Sequence, residues 1–219
     1  ALAELLADHT TLRVGGPADR FVVATTEAEL IEAVADCDRR GEPVLVVGGG
    51  SNLLVADEGF RGTVVLIATR GIDADVSACA GASVRVAAGE NWEAFVAEAV
   101  SHEWSGVEAL SGIPGSVGAT PIQNVGAYGA EVAQTIASVR TWDRQRRAQR
   151  TFALAVCGFG YRTSRFKREP GRYLVLEVGF QFPIASLSAP VAYAELARTL
   201  GVEVGLRAPA AEVREAVLG

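Results

Sequence analysis

The apolar positions of this chain switch between a period of two and a period of three to four, and the switches outline its elements. Phe21–Ala24 is a short apolar run bounded by polar residues and predicts a strand. Thr26 follows with Glu29 three residues on, the spacing of a capping box. Leu30, Ile31 and Val34 then share one face of a helix that Gly41 ends. Pro43–Val47 predicts a second strand, Leu53–Ala56 a further one and Thr63–Ala68 a buried one. Ala74–Ala80 and Ser83–Ala88, split by Gly81, predict a small β region. Asn91 opens a helix through His102 whose inner face is Trp92, Phe95, Val96 and Ala99, and Trp92 and Trp104 read as core. Ile136–Asp143 and Gln149–Ala155 alternate as a hairpin, with Arg144–Arg147 as its solvated basic tip. Tyr173–Phe182 predicts a strong strand, and Val191–Leu200 and Pro209–Leu218 a closing pair of helices. The pattern is that of an α+β chain without internal repeats.

Two stretches carry neither period. The first is Gly48-Gly49-Gly50-Ser51-Asn52, between two predicted strands. No Lys-Ser/Thr pair follows it, so it is no Walker A loop, and Leu53 stands where GxGxxG and GxSxG both need glycine. A plain hairpin turn needs one glycine, and three in a row point to close approach of something to the backbone. The second is Ser111–Gly129, with glycines at 112, 115, 118, 126 and 129 and prolines at 114 and 121. A short helix starting at Pro114 is expected there. Backbone so bare can aim successive N–H groups at an anion, and Ser111, Ser116, Gln123, Asn124 and Tyr128 add polar side chains. The residues alone leave a ligand wall and a Gly/Pro-rich surface loop both open.

Composition narrows the classes. Hydrophobic residues make up 49 % of 219 positions, enough for a packed core. A net charge of −6 disfavours a nucleic-acid surface. No apolar run is long enough to span a bilayer, and the first residues lack the basic start of a secretory signal. Cys37, Cys79 and Cys157 have no motif spacing, and His9 and His102 offer no metal-ligand pattern, so reduced, buried thiols in a cytoplasmic protein without metal are expected. The chain contains no methionine, and its natural start is expected to lie upstream of Ala1.

Four blocks together resemble the UDP-N-acetylenolpyruvoylglucosamine reductase family. They are Thr11–Ala18 (TLRVGGPA), Val47–Leu53 (VGGGSNL), Gly112–Ala119 continued by Gln123–Gly129 (GIPGSVGA, QNVGAYG), and Tyr161–Lys167 (YRTSRFK). The resemblance covers essentially the whole chain and implies a two-domain FAD-binding fold of the vanillyl-alcohol-oxidase type. Residues 1–65 would form a small α/β subdomain and 66–219 a larger α+β one. It implies that Val47, Gly48, Gly49, Gly50, Ser51, Asn52 and Leu53 hold the pyrophosphate. Ser111, Gly112, Ile113, Gly115, Ser116, Val117, Gly118 and Ala119, with Ile122, Asn124, Gly126 and Ala127, would line the rest of a non-covalent FAD.

The implied reaction takes a hydride from NADPH and delivers it to the enolpyruvyl double bond of a UDP-sugar, in peptidoglycan precursor synthesis. Arg162 would receive the charge that develops on the substrate carboxylate, the task of a planar, permanently charged guanidinium. Tyr128 and Tyr193 would contact substrate. The protein is expected to act as a monomer without nucleic-acid or membrane partners. The family's proton-donating serine lies in a segment reading approximately GSFFKNP, and no such segment occurs in these 219 residues. The C-terminal substrate domain is therefore expected to be absent, leaving an FAD-binding part with little turnover of its own. Another flavin oxidase on the same fold and a non-catalytic nucleotide-binding module remain as alternatives.

Overall fold

The computed structural model describes residues 4–77 and 79–219. The first sheet is parallel, in the order β1 (Ala18–Ala24), β3 (Phe60–Ile67), β2 (Val44–Val47), and α1 (Glu27–Arg40) connects β1 to β2. The predicted capping box is present: Glu29 N–H donates to Thr26 Oγ1 at 3.2 Å, and the Glu29 carboxylate accepts from Thr26 N at 3.1 Å. Gly41 closes the helix in the left-handed region at φ 66°.

The second sheet is antiparallel and five-stranded, in the order β4 (Ile72–Ser77), β5 (Gly81–Ala87), β10 (Tyr173–Phe182), β8 (Ile136–Asp143), β9 (Ala148–Ala153). The strand expected over Ala74–Ala80 is thus Ile72–Ser77, and Ala78 lies outside the described residues. Helix α2 (Trp92–Ser101) shares a core with this sheet, bringing Trp92 and Phe95 onto Phe180 and Phe182.

Strand β10 is the centre of the molecule, and its near-continuous apolar run follows from being covered on both faces. Leu174 and Leu176 join the α1 side together with Leu30, Val34 and Val65, whereas Val175, Val178, Phe180 and Phe182 join the α2 side. The parity changes because the register with β8 shifts between Val175 and Glu177, a bulge that turns the following side chains to the other face.

Three expectations are corrected. Leu53–Ala56 is an irregular segment: Leu53 and Val55 pack into the core beneath the first sheet, and the Ala56 carbonyl accepts from Gly16 and Gly59 instead of a strand ladder. Arg144 is no solvated tip, because its guanidinium grips Asp38 of α1 at 2.6 and 3.0 Å; Arg146 and Arg147 of the same turn are exposed. The first of the closing helices begins at Ala194, since Val191 is occupied in an extended stretch whose N–H donates to Leu206 O. That helix, Ala194–Leu200, and its partner Ala210–Leu218 form a separate small core around Leu196 and Val213.

Candidate functional site

The triple-glycine loop leaves the carboxyl end of β2, the edge of a parallel sheet where ligands generally sit. Its three glycines are required for different reasons. Gly50 adopts φ 65°, and a Cβ there would collide with the carbonyl of His9. A Cβ on Gly49 would lie 2.6 Å from the Cα of Gly115, and one on Gly48 would strike Ser116 Oγ. Residues 48–49 and 115–116 therefore abut, although 66 positions of chain separate Gly49 from Gly115 and 68 separate Gly48 from Ser116. Ser51 Oγ reaches the same place, 3.0 Å from the Cβ position of Gly115. Two bare ribbons thus meet in one wall.

Their hydrogen bonds divide the wall into donors already committed and donors left over. The N–H groups of Val117 and Gly118 donate to Glu90 O and Ala88 O, and that of Ala119 to Ser116 O. Gly112 N–H donates to the Glu93 carboxylate at 2.5 Å, and Ile122 N–H to Ala119 O. These expected cofactor residues shape the wall and carry no spare donor. By contrast, the N–H groups of Gly49, Gly50, Ser51 and Asn52, and those of Ile113, Gly115 and Ser116, donate to nothing among the described residues. A row of such groups on both ribbons is what a diphosphate accepts. The donor set therefore fits a dinucleotide such as FAD. The helix expected at Pro114 is a single 3-10 turn at Val117–Ala119, because Ser116 is held extended by a bridge to Asn91.

The Tyr161–Lys167 block is fastened to the end of the second ribbon. Asn124, only 1 % exposed and at φ 49°, uses its whole side chain: Nδ2 donates to Glu131 Oε2 at 2.8 Å and to Gly160 O at 3.1 Å, and Oδ1 accepts from Ala133 N at 3.1 Å. Its place in the wall is therefore structural as far as the side chain goes. Ser164 Oγ donates to Ile122 O and also caps the short helix Arg165–Arg168. Arg162 sits at φ 52° on the connecting turn and donates through Nη2 to Gly126 O at 2.7 Å. Its guanidinium is exposed, 6.0 Å from the exposed ring of Tyr161. Strand β6 (Gly126–Ala127) pairs with β7 (Ala130–Glu131) in a two-stranded ribbon, and Tyr128, at φ 51°, follows β6. Tyr128 stands edge-on to Tyr193 with ring centroids 5.6 Å apart, so two residues 65 positions apart share one aromatic corner.

Sequence reasoning missed the other side of the glycine loop. Residues 7–13 wrap over it: Thr11 N–H donates to Gly50 O at 3.2 Å, and Thr10 Oγ1 donates to Val14 O at 3.0 Å. They form, with Gly48, Gly49 and Leu66, a polar cleft of about 680 Å³. His9, outside both glycine stretches in sequence, lines this cleft; its ring stacks on Phe21 at 4.4 Å and its Nε2 lies 2.9 Å from Glu4. The signal was present in Thr11 and the glycines of the first block, but nothing in their spacing shows which loop they fold onto.

Comparison with known proteins agrees with this geometry. The family described as FAD binding domain matches residues 18–150. The chain is 62 % identical to the UDP-N-acetylenolpyruvoylglucosamine reductase of Cutibacterium acnes over 97 % of its own length and 57 % of that protein's. It is 54 % identical to that of Streptomyces avermitilis over 98 % of its own length and 58 % of that protein's. The chain thus spans little more than half the length of these curated relatives. Among solved structures, the reductase of the same name from Thermus caldophilus superposes with a TM-score of 0.68 at 28 % identity, covering 98 % of this chain and 65 % of that one. Cholesterol oxidase from B. sterolicum shares the fold alone, with a TM-score of 0.54 at 15 % identity over 84 % of this chain and 41 % of that one. The fold is the α+β FAD-binding fold of the vanillyl-alcohol-oxidase type. The chain belongs to the FAD binding domain family, and the curated relatives it matches are UDP-N-acetylenolpyruvoylglucosamine reductases.

Proposed function

We propose that this chain is the cofactor-holding part of a flavin reductase that reduces the enolpyruvyl group of UDP-N-acetylglucosamine enolpyruvate, giving UDP-N-acetylmuramate for peptidoglycan. The observation that carries the reading is the meeting of the two bare ribbons, Gly49 on Gly115 and Gly48 on Ser116, with uncommitted N–H groups on both. Residues 1–65 and 66–219 would hold FAD between them, in the cytoplasm, in a monomer.

When bound, FAD would supply the hydride-transfer chemistry between NADPH and the substrate double bond. The chain's own residues bind, orient and balance charge. Gly49–Asn52 and Ile113–Ser116 would present backbone donors to the cofactor. Arg162 would accept the charge that builds on the substrate carboxylate as the double bond is reduced. Its bond to Gly126 O holds the fork beside the cofactor wall and leaves further N–H groups for a carboxylate. Tyr128 and Tyr193 would flank the sugar nucleotide. His9 is already engaged by Glu4 and Phe21, which supports a non-covalent flavin.

The purified 219-residue chain should be yellow on reconstitution, release its flavin on acid precipitation, and oxidise NADPH without substrate-dependent turnover. A colourless chain that refuses added FAD would sink the reading. In a reductase carrying this FAD-binding part, Arg162→Lys should lower kcat by roughly a hundredfold and leave FAD affinity unchanged.

A further inference from the structure

We propose that Arg13 is the counter-cation of the cofactor diphosphate and sets the preference for FAD over flavins that lack the adenosine diphosphate half; this rests on the FAD reading above. Arg13 lines the cleft that residues 7–13 form with Gly48 and Gly49. Its side chain makes no ion pair and no hydrogen bond among the described residues, in a molecule whose other arginines on ordered loops are mostly paired, as Arg144 and Arg172 are. An exposed cation without a partner, next to backbone N–H groups that also have none, is placed for an anion and not for the fold.

The backbone supports the same assignment. Arg13 stands at φ 52°, a left-handed conformation that costs a non-glycine residue about 1–2 kcal/mol. Glycine occurs at positive φ two residues later, at Gly15, so the chain does not lack that option in this turn. The turn is over-determined by its surroundings: Arg13 N–H donates to Thr10 O at 3.1 Å, and Val14 N–H to Thr10 Oγ1 at 3.3 Å. Strain held in this way aims a side chain. Charge completes the case. Asp8 is the acid and Arg13 the permanent cation among the residues lining the cleft. Without Arg13 a diphosphate would face Asp8 with no permanent positive charge among the residues lining the cleft.

The test compares FAD with riboflavin, which shares the ring system and lacks phosphate. Affinities of the 219-residue chain and of Arg13→Gln, Arg13→Gly and Arg13→Lys are measured by flavin fluorescence quenching at several salt concentrations. Arg13→Gly removes the charge and relieves the left-handed strain, so its folding is protected. Arg13→Gln and Arg13→Gly should weaken FAD by about tenfold to a hundredfold, with a shallower salt dependence, and leave riboflavin unchanged. Arg13→Lys should recover part of the loss. FAD binding at wild-type strength in both neutral variants, or equal losses for FAD and riboflavin, would overturn the assignment while leaving the cofactor reading intact. Failure of the unaltered chain to bind FAD would remove both.

Discussion

Single residues in this protein are constrained most where backbone meets backbone. Gly41 and Gly49 make the contrast. Gly41 has φ 66° but nothing within 4 Å of its Cβ position, so alanine there pays only the left-handed penalty, about 1 kcal/mol. Gly49 faces Gly115 Cα at 2.6 Å, and alanine would have to push the two ribbons apart. Gly49→Ala should therefore cost about 1–3 kcal/mol in urea unfolding and abolish FAD binding, whereas Gly41→Ala should bind FAD normally. A Gly49→Ala chain that binds FAD at full strength would show that the ribbons do not form the cofactor wall. The cysteines divide the same way. Burial pushes the Cys157 thiol up to about 11, so it behaves as a small core residue, while Cys79 is exposed, contrary to the expectation of three buried thiols.

At the scale of elements, the β8–β9 hairpin is held at its tip by one carboxylate. Asp143 is fully buried; its Oδ1 accepts from Gln145 N and Arg146 N, and its Oδ2 from Arg172 Nη2 at 2.9 Å. The Arg172 guanidinium, more than any other group, holds the Asp143 carboxyl below the usual carboxylate range. A depressed folded value means that the stabilisation is complete at neutral pH. It is lost as pH falls from about 4 through the folded value, where the folded state resists the proton that the unfolded chain accepts. Asp143→Asn should lower stability at pH 7 and flatten the acid limb of a stability–pH curve below about pH 4. An unchanged acid limb would assign it to other carboxylates. The capping box of α1 was legible because Thr26, Glu29 and the apolar face lie within one helix. The bulge in β10 was not, because it is defined by pairing with β8.

For the whole molecule, α1 is the layer through which the two sheets touch. Leu30 and Val34 meet Val65 of the first sheet and Leu174 and Leu176 of the second. The polar rim of that contact is Arg140 of β8, which binds both oxygens of Glu27 at 2.6 Å and also reaches Glu177 at 3.3 Å. Arg144 does the same to Asp38 at the other end of the helix. These side chains are about a quarter exposed, so they lie between surface pairs and buried ones. Arg140→Ala should cost about 1–3 kcal/mol, and its loss should be less than additive with Glu27→Ala in urea denaturation. Strict additivity would mean that the ion pair does not couple the two sheets.

What the chain determined by itself was local: the helices with their caps, the strands with their alternation, and two stretches too rich in glycine to be packing elements. The four blocks also carried the family, since each motif is contiguous. Tertiary structure alone decided which of those parts meet. Gly49 faces Gly115, Tyr128 faces Tyr193, Arg162 is tied to Gly126, and residues 7–13 fold over the loop at 48–50. It also decided which N–H groups remain free to bind and which are already satisfied. The physical reason is that hydrogen-bond satisfaction and steric exclusion act between neighbours in space. Residue spacing along the chain records periodicity within an element but carries no term for the partner that arrives from elsewhere.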